Sequence, residues 1–132
     1  MAQRPTAFVV DTDIFIDYLN GVKRMKEILD SPQYRVYYSM VTRKELLAKP
    51  GLSATERRRI HMLLLYHRQI PVDEQIAERF SSLLAKYANH GLRKADALVA
   101  ATVWSRRLPL LTRNTKRYRF ISEITLLNPT EL

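Results

Sequence analysis

At 132 residues the chain suits one compact domain, and it has no cysteine, which excludes disulfides and thiolate zinc sites. Its 22 Lys and Arg stand against 13 Asp and Glu, and the net charge of +9 attracts polyanions, either nucleic acid or an acidic partner protein. The longest apolar stretch, about 97–104, is far short of the ~20 residues that span a bilayer, and the N-terminus lacks the apolar core of a secretory signal, so a soluble, cytoplasmic protein is expected.

In chain order, residues 1–6 carry no pattern and are expected to be loose. Phe8-Val9-Val10 is a short apolar run ending at Asp11, which reads as a buried strand. Ile14, Phe15, Tyr18 and Leu19 then fall at helical spacing, with Gly21 as the stop. A short helix over about 22–29 ends near Pro32, and the tyrosines and valine of 34–39 mark a second strand. The next helix opens on Ser39 or Thr42 and closes at Pro50-Gly51. Ser53 and Glu56 form a capping-box pattern for another, reaching about Tyr66.

A short strand is predicted within residues 69–73. From Asp73 a long amphipathic helix carries Ile76, Phe80, Leu83, Leu84 and Tyr87 on one face and stops at Asn89–Gly91. The alanine-rich segment 95–107 is too long for a typical strand and reads as a buried helix, followed by strands at 108–112 and 124–127. Alternating strands and helices predict an α/β sandwich around one mostly parallel sheet, a single domain with its core at about 7–128.

In open parallel sheets, ligands sit beyond the carboxyl ends of the strands, where strand order reverses. Asp11 follows one such strand, and Thr112 and Asn114 follow another. Asp11 has a plainer reading as a helix cap, a task that Thr12 or Asp13 could also perform. Thr42 and Glu45 match a capping box, so Glu45 taken alone reads as a capping or surface residue. Asp96 is the one acid at the head of an apolar helix, and a carboxylate enclosed there needs a partner. Two carboxylates ~4 Å apart repel by ~4 kcal/mol at an effective dielectric of 20, against only about 0.3–1 kcal/mol from a helix dipole. If Asp11, Glu45 and Asp96 converge, a hard divalent cation, Mg²⁺ or Mn²⁺, is the simplest remedy.

Asp13 and Asp17 are one turn apart and can share a face. His61, His67 and His90 show no ligand spacing and read as structural or solvated, and Tyr34, Tyr37, Tyr38 and Trp104 as core. Three glycines could hardly build a phosphate loop. Between Asp96 and Glu123 there is no acid, while Arg106, Arg107, Arg113, Lys116, Arg117 and Arg119 all fall there, which makes a basic face or a phosphate-binding strip.

Four ordered segments carry a resemblance. FVVDTDIFIDYL, with Asp11 and Asp13, resembles the opening strand and helix of PIN-domain nucleases; Asp13 stands where Asn is commoner. SMVTRKELL looks like the segment with the second acid, Glu45, and KADALVAATVW like that with the third, Asp96. LPLLTRNTKRYRFI is similar to the closing segment, with Thr112 and Asn114 on matching positions. The likeness covers about 7–128, and the small size resembles VapC-type toxins of toxin–antitoxin pairs.

The resemblance implies a three-layer α/β/α fold, a divalent-metal-dependent endoribonuclease, a homodimer and a small antitoxin. It places the metal, Mg²⁺ or Mn²⁺, on Asp11, Asp96 and Glu45, with Glu45 activating water. Asn114 counts with the catalytic set, Thr112 and Asp13 stand behind it, and Arg113, Lys116, Arg117 and Arg119 hold RNA. Asn114 occupies a position where relatives have a fourth acid, and Arg117 one where Asp or His is common, which leaves the number of metals open.

Two rival readings compete. Asp11-Thr12-Asp13 also fits the opening of haloacid-dehalogenase phosphatases, but Phe15 stands where that family wants Thr or Val, and no paired acids follow Asp96. A non-catalytic basic RNA-binding or adaptor protein is the other, and retention of all three acids speaks against it.

Overall fold

The computed structural model describes residues 5–132. Its elements in order are β1 (Ala7–Val10), α1 (Thr12–Leu19), α2 (Lys23–Leu29), β2 (Arg35–Ser39), α3 (Met40–Leu47), α4 (Ala54–Tyr66), β3 (Arg68–Ile70), α5 (Glu74–Lys86), α6 (Lys94–Arg106), β4 (Leu110–Leu111) and β5 (Leu126–Leu127). Short 3₁₀ turns cover Ala88–His90, Thr115–Arg117 and Pro129–Glu131. The strands form one five-stranded sheet in the order β3-β2-β1-β4-β5, and every pairing is parallel.

The alternation of side chains along each strand divides the core into two layers. Phe8 and Val10 of β1, Val36 and Tyr38 of β2, and Leu111 of β4 face a layer built with α1, α2 and α4 through Ile14, Phe15, Ile28, Leu29, Ile60 and Leu64. Val9 and Leu110 face the opposite layer, where Ile76 and Leu83 of α5 meet Val99, Ala100 and Val103 of α6. Because β1 is covered on both faces it reads as an unbroken apolar run. This is the expected three-layer α/β/α sandwich, with a sheet that is parallel throughout.

Several boundaries differ from the sequence reading. The third strand is Arg68–Ile70, not a segment reaching 73, because Pro71 has no N–H to continue the ladder. Helix α3 opens on Ser39, whose hydroxyl accepts from Val41 N at 3.2 Å, leaving Thr42 inside the helix. The loose segment expected at 1–6 lies mostly outside the described residues; Thr6 itself is engaged, its carbonyl accepting from Arg35 N at 2.7 Å. Helix α6 ends without a glycine: Arg107 takes the left-handed conformation, with φ 54°.

Candidate active site

The chain runs outward from β1 through β2 to β3, then returns through α5 and α6 to place β4 on the other side of β1. The carboxyl ends of β1 and β4 therefore flank the switch point. Asp11 follows β1 and Thr112 follows β4, and the Thr112 hydroxyl donates to Asp11 Oδ2 at 2.9 Å. Asp11 Oδ1 accepts from Thr12 N at 3.0 Å, so the same carboxylate caps α1. Capping and site are thus one arrangement, and neither Thr12 nor Asp13 supplies the cap.

Asp11 is only 2% exposed and receives hydrogen bonds from neutral groups alone. Burial, then the nearby Asp13 carboxylate, push its carboxyl up to about 6, against the lowering effect of the Thr112 and Thr12 bonds. Asp13 is raised as well, by burial, although the N–H of Arg113 donates to its Oδ2 at 3.0 Å. Asp13 Oδ1 is buried with no hydrogen-bond partner.

Thr12 ties the second acid to the first. Its hydroxyl donates to Glu45 Oε1 at 2.7 Å and lies 3.0 Å from the Thr42 hydroxyl. Glu45 is exposed, so it reaches solvent while one oxygen is held.

Asp96, 5% exposed in the first turn of α6, is served by cations. Arg93 Nε donates to Oδ2 and Nη2 to Oδ1, both at 3.1 Å, and Arg117 Nη1 lies 3.7 Å from Oδ1. The Tyr118 hydroxyl donates to Oδ1 across 3.4 Å. Burial first, then the charges of Asp11 and Asp96, keep this phenol protonated far above its ordinary range.

Thr12 thus joins Asp11 to Glu45, while Asp96 stands with Arg93, Arg117 and Tyr118; the charge of Arg117 also acts on Asp11, and the Tyr118 phenol feels both Asp11 and Asp96. Among the described residues, however, no three acids or histidines converge closely enough to cage a metal by themselves. The donor set suits a hard divalent ion: oxygen ligands, an orphaned carboxylate oxygen on Asp13, and a buried Asp11 that no charged group hydrogen-bonds. Of the three site acids, Asp96 alone is hydrogen-bonded by a cation.

The basic residues divide. Arg113 is bound side-on to Asp17, Nε to Oδ2 at 2.5 Å and Nη2 to Oδ1 at 3.1 Å, which clasps the end of β4 to α1. Arg106 pairs with Asp73. Lys116 and Arg119 are exposed. Asn114 is exposed, and its N–H donates to the Thr112 hydroxyl at 3.0 Å, so it fixes the threonine that orients Asp11. Sequence reasoning missed Arg93, although its place three residues before Asp96 is a helical pairing distance. It also missed the site role of Tyr118, for which the sequence offers no local signal.

An all-parallel sheet with buried acids at its switch point defines an α/β protein with an anionic centre. A PIN domain model matches residues 8–122, and the chain belongs to that family. Among solved structures, the chain is similar to a toxin–antitoxin complex from Klebsiella pneumoniae, at 29% identity and TM-score 0.75 over 95% of this chain and 99% of that one. VapBC-5 from Mycobacterium tuberculosis, a VapBC-family toxin–antitoxin system, aligns at 26% identity and TM-score 0.68, over 94% of this chain and 99% of that one. VapBC2 from Rickettsia felis, bound to a promoter DNA fragment, shares the fold at TM-score 0.83 and 17% identity, over 92% and 98% of the two chains. The comparison with curated proteins yields no match. Among the described residues no helix is long and apolar enough to cross a membrane.

Proposed function

We propose that this PIN-domain protein is a divalent-metal-dependent endoribonuclease and the toxin of a toxin–antitoxin pair. The observation that carries the reading is the closure of Asp11 by Thr112 at the switch point, with Glu45 joined to it through Thr12 and the Asp96 charge felt, like that of Asp11, by Tyr118. Family membership and the toxin–antitoxin assemblies among its structural relatives support it.

Asp11 and Asp96 would hold Mg²⁺ or Mn²⁺, with Glu45 beside them. Such an ion, when bound, supplies Lewis acidity toward a phosphate oxygen and an acidified water. The chain's own groups do the rest. Thr112, fixed by the Asn114 N–H, and the Thr12 N–H aim the Asp11 carboxylate. Glu45, held at one oxygen by Thr12 and open to solvent, takes the proton from the attacking water. Attack at phosphorus with departure of the 3′ oxygen leaves 5′-phosphate and 3′-hydroxyl ends.

A protein partner has a surface available. Met62 and Tyr66 on α4, 61 and 73% exposed, line one hollow with Tyr18 and Leu19, and Leu65 of the same helix is 80% exposed; large side chains exposed this way support a docking patch for the antitoxin. A homodimer belongs to the same reading.

Purified protein is expected to cut single-stranded RNA in Mn²⁺ or Mg²⁺ and to stop in EDTA. Cleavage that survives EDTA overturns the metal, and RNA binding without cleavage in either ion favours the adaptor reading. The basic segment makes its own forecast. With Arg113 and Arg117 engaged by Asp17 and Asp96, Lys116 and Arg119 are the cations of 113–119 left open to phosphate. Replacing both with Ala should flatten the salt dependence of RNA affinity by about 1.4, near 0.7 per contact, in a filter-binding titration. An unchanged slope removes them from the RNA path.

A further inference from the structure

Asp96 is the site acid whose charge is already answered, and the manner of the answer is informative. The side-on fork of Arg93 covers both carboxylate oxygens at 3.1 Å, along the edge that a chelating cation would use. The Arg93 side chain is 56% exposed, while that of Asp96 is 7% exposed. Arg93 precedes the first turn of α6 in extended conformation, φ −75° and ψ 150°, with no capping bond from its side chain. Its guanidinium can therefore swing into water without moving the backbone. The exposed guanidinium is rehydrated as it leaves, so the cost of exchange falls on the buried Asp96, which an incoming divalent ion would meet. Arg117, at 3.7 Å, leans on the same oxygen from the opposite segment but does not cover the second.

We propose that Arg93 is a displaceable counter-cation: it holds Asp96 in the metal-free protein, and a divalent ion must compete with it for that carboxylate. The inference rests on the metal reading above. Arg93 then lowers metal affinity relative to the bare acids, prevents Asp96 from standing unpaired when no metal is present, and is freed beside the site when metal arrives. A purely structural ion pair would do only the second of these.

Mn²⁺ binding by isothermal titration calorimetry separates the cases. Arg93→Gln should tighten Mn²⁺ binding about three- to tenfold, and the gain should disappear on an Asp96→Asn background. The metal-free Arg93→Gln protein should melt below the wild type and gain more on Mn²⁺ addition. Lys94→Gln, which removes an exposed neighbouring charge, should change affinity by less than about twofold, as expected for screened surface charge. An Arg93→Gln affinity equal to or weaker than the wild type overturns the inference, as does an equal gain from Lys94→Gln. If wild type and Arg93→Gln both fail to bind Mn²⁺, the metal reading falls and the inference with it. Unweakened binding by Asp96→Asn removes Asp96 from the ligand set and overturns the inference while leaving metal binding intact.

Discussion

In EDTA at pH 7.5, Asp11→Asn is expected to unfold at higher temperature than the wild type, and in saturating Mn²⁺ that advantage should vanish. Burial and Asp13 raise the Asp11 carboxyl to about 6 in the folded chain from 3.8. A raised folded-state value means the folded protein binds the proton more tightly, so stability is lost as pH climbs from about 4 to 6. The full shift corresponds to about 3 kcal/mol, and an asparagine that keeps only one of the two hydrogen bonds should recover about 1–3 kcal/mol of it. At pH 4 the two proteins should converge. Mn²⁺ at a hundred times its dissociation constant would stabilise the wild type by about 2.7 kcal/mol and the variant far less. RNA cleavage should drop at least ~100-fold, since losing a residue that merely orients a ligand already costs 10–100-fold. Differential scanning fluorimetry over pH and Mn²⁺, with a cleavage assay alongside, reads all of this. A variant that melts below the wild type in EDTA at pH 7.5, or that keeps its metal response, removes Asp11 from the proposed centre.

His67 works in the opposite direction over nearly the same range. Its ring stacks on Phe15 at 5.8 Å, and burial lowers its pKa to about 4 from 6.5, only partly opposed by the charge of Asp30. The folded chain resists protonating it, so this residue costs stability as pH falls from 6.5 toward 4. The shift corresponds to about 3 kcal/mol, reduced to about 2 by the solvent that reaches a half-buried ring. His67→Phe preserves the stacked ring and removes the titration. Relative to the wild type it should become about 2 kcal/mol more stable between pH 7 and pH 4, measured by urea unfolding at both. A constant difference across that interval would show that His67 protonates as freely in the folded chain as in the unfolded one. In the wild type the Asp11 and His67 effects oppose each other, so acid sensitivity should be muted and emerge when either is replaced.

The parts of the fold visible in sequence were those set by local pattern. Phe8-Val9-Val10, the Ser53–Glu56 capping box and the Asp73 cap each announce an element without help from the rest of the chain, and the last two form as hydrogen bonds. The two layers of the core follow from the same alternation. Asp11 and Asp96 were visible as acids at the edges of apolar runs. What stayed hidden depends on who meets whom: Arg113 spends its guanidinium on Asp17, ninety-six positions away, and Tyr118 reaches Asp96 from a turn that carries no apolar period. Arg106, Arg113 and Arg117 look alike in a basic run, and only the fold separates the paired cations from the open ones.

The bond that closes the site joins Thr112 to Asp11 across 101 positions, and the strand behind it pairs Val9 with Leu110. During synthesis the first half of the centre thus waits for almost the whole chain, and a polypeptide still on the ribosome holds Asp11 without its orienting threonine. Such distant pairing makes the docking of β4 on β1 slow compared with helix formation. Proteolytic cleavage within that span also parts the two residues, which any local unfolding of β4 would then separate. The proposed activity would accordingly report on completed folding: a partly made chain carries Asp11 without the threonine that orients it.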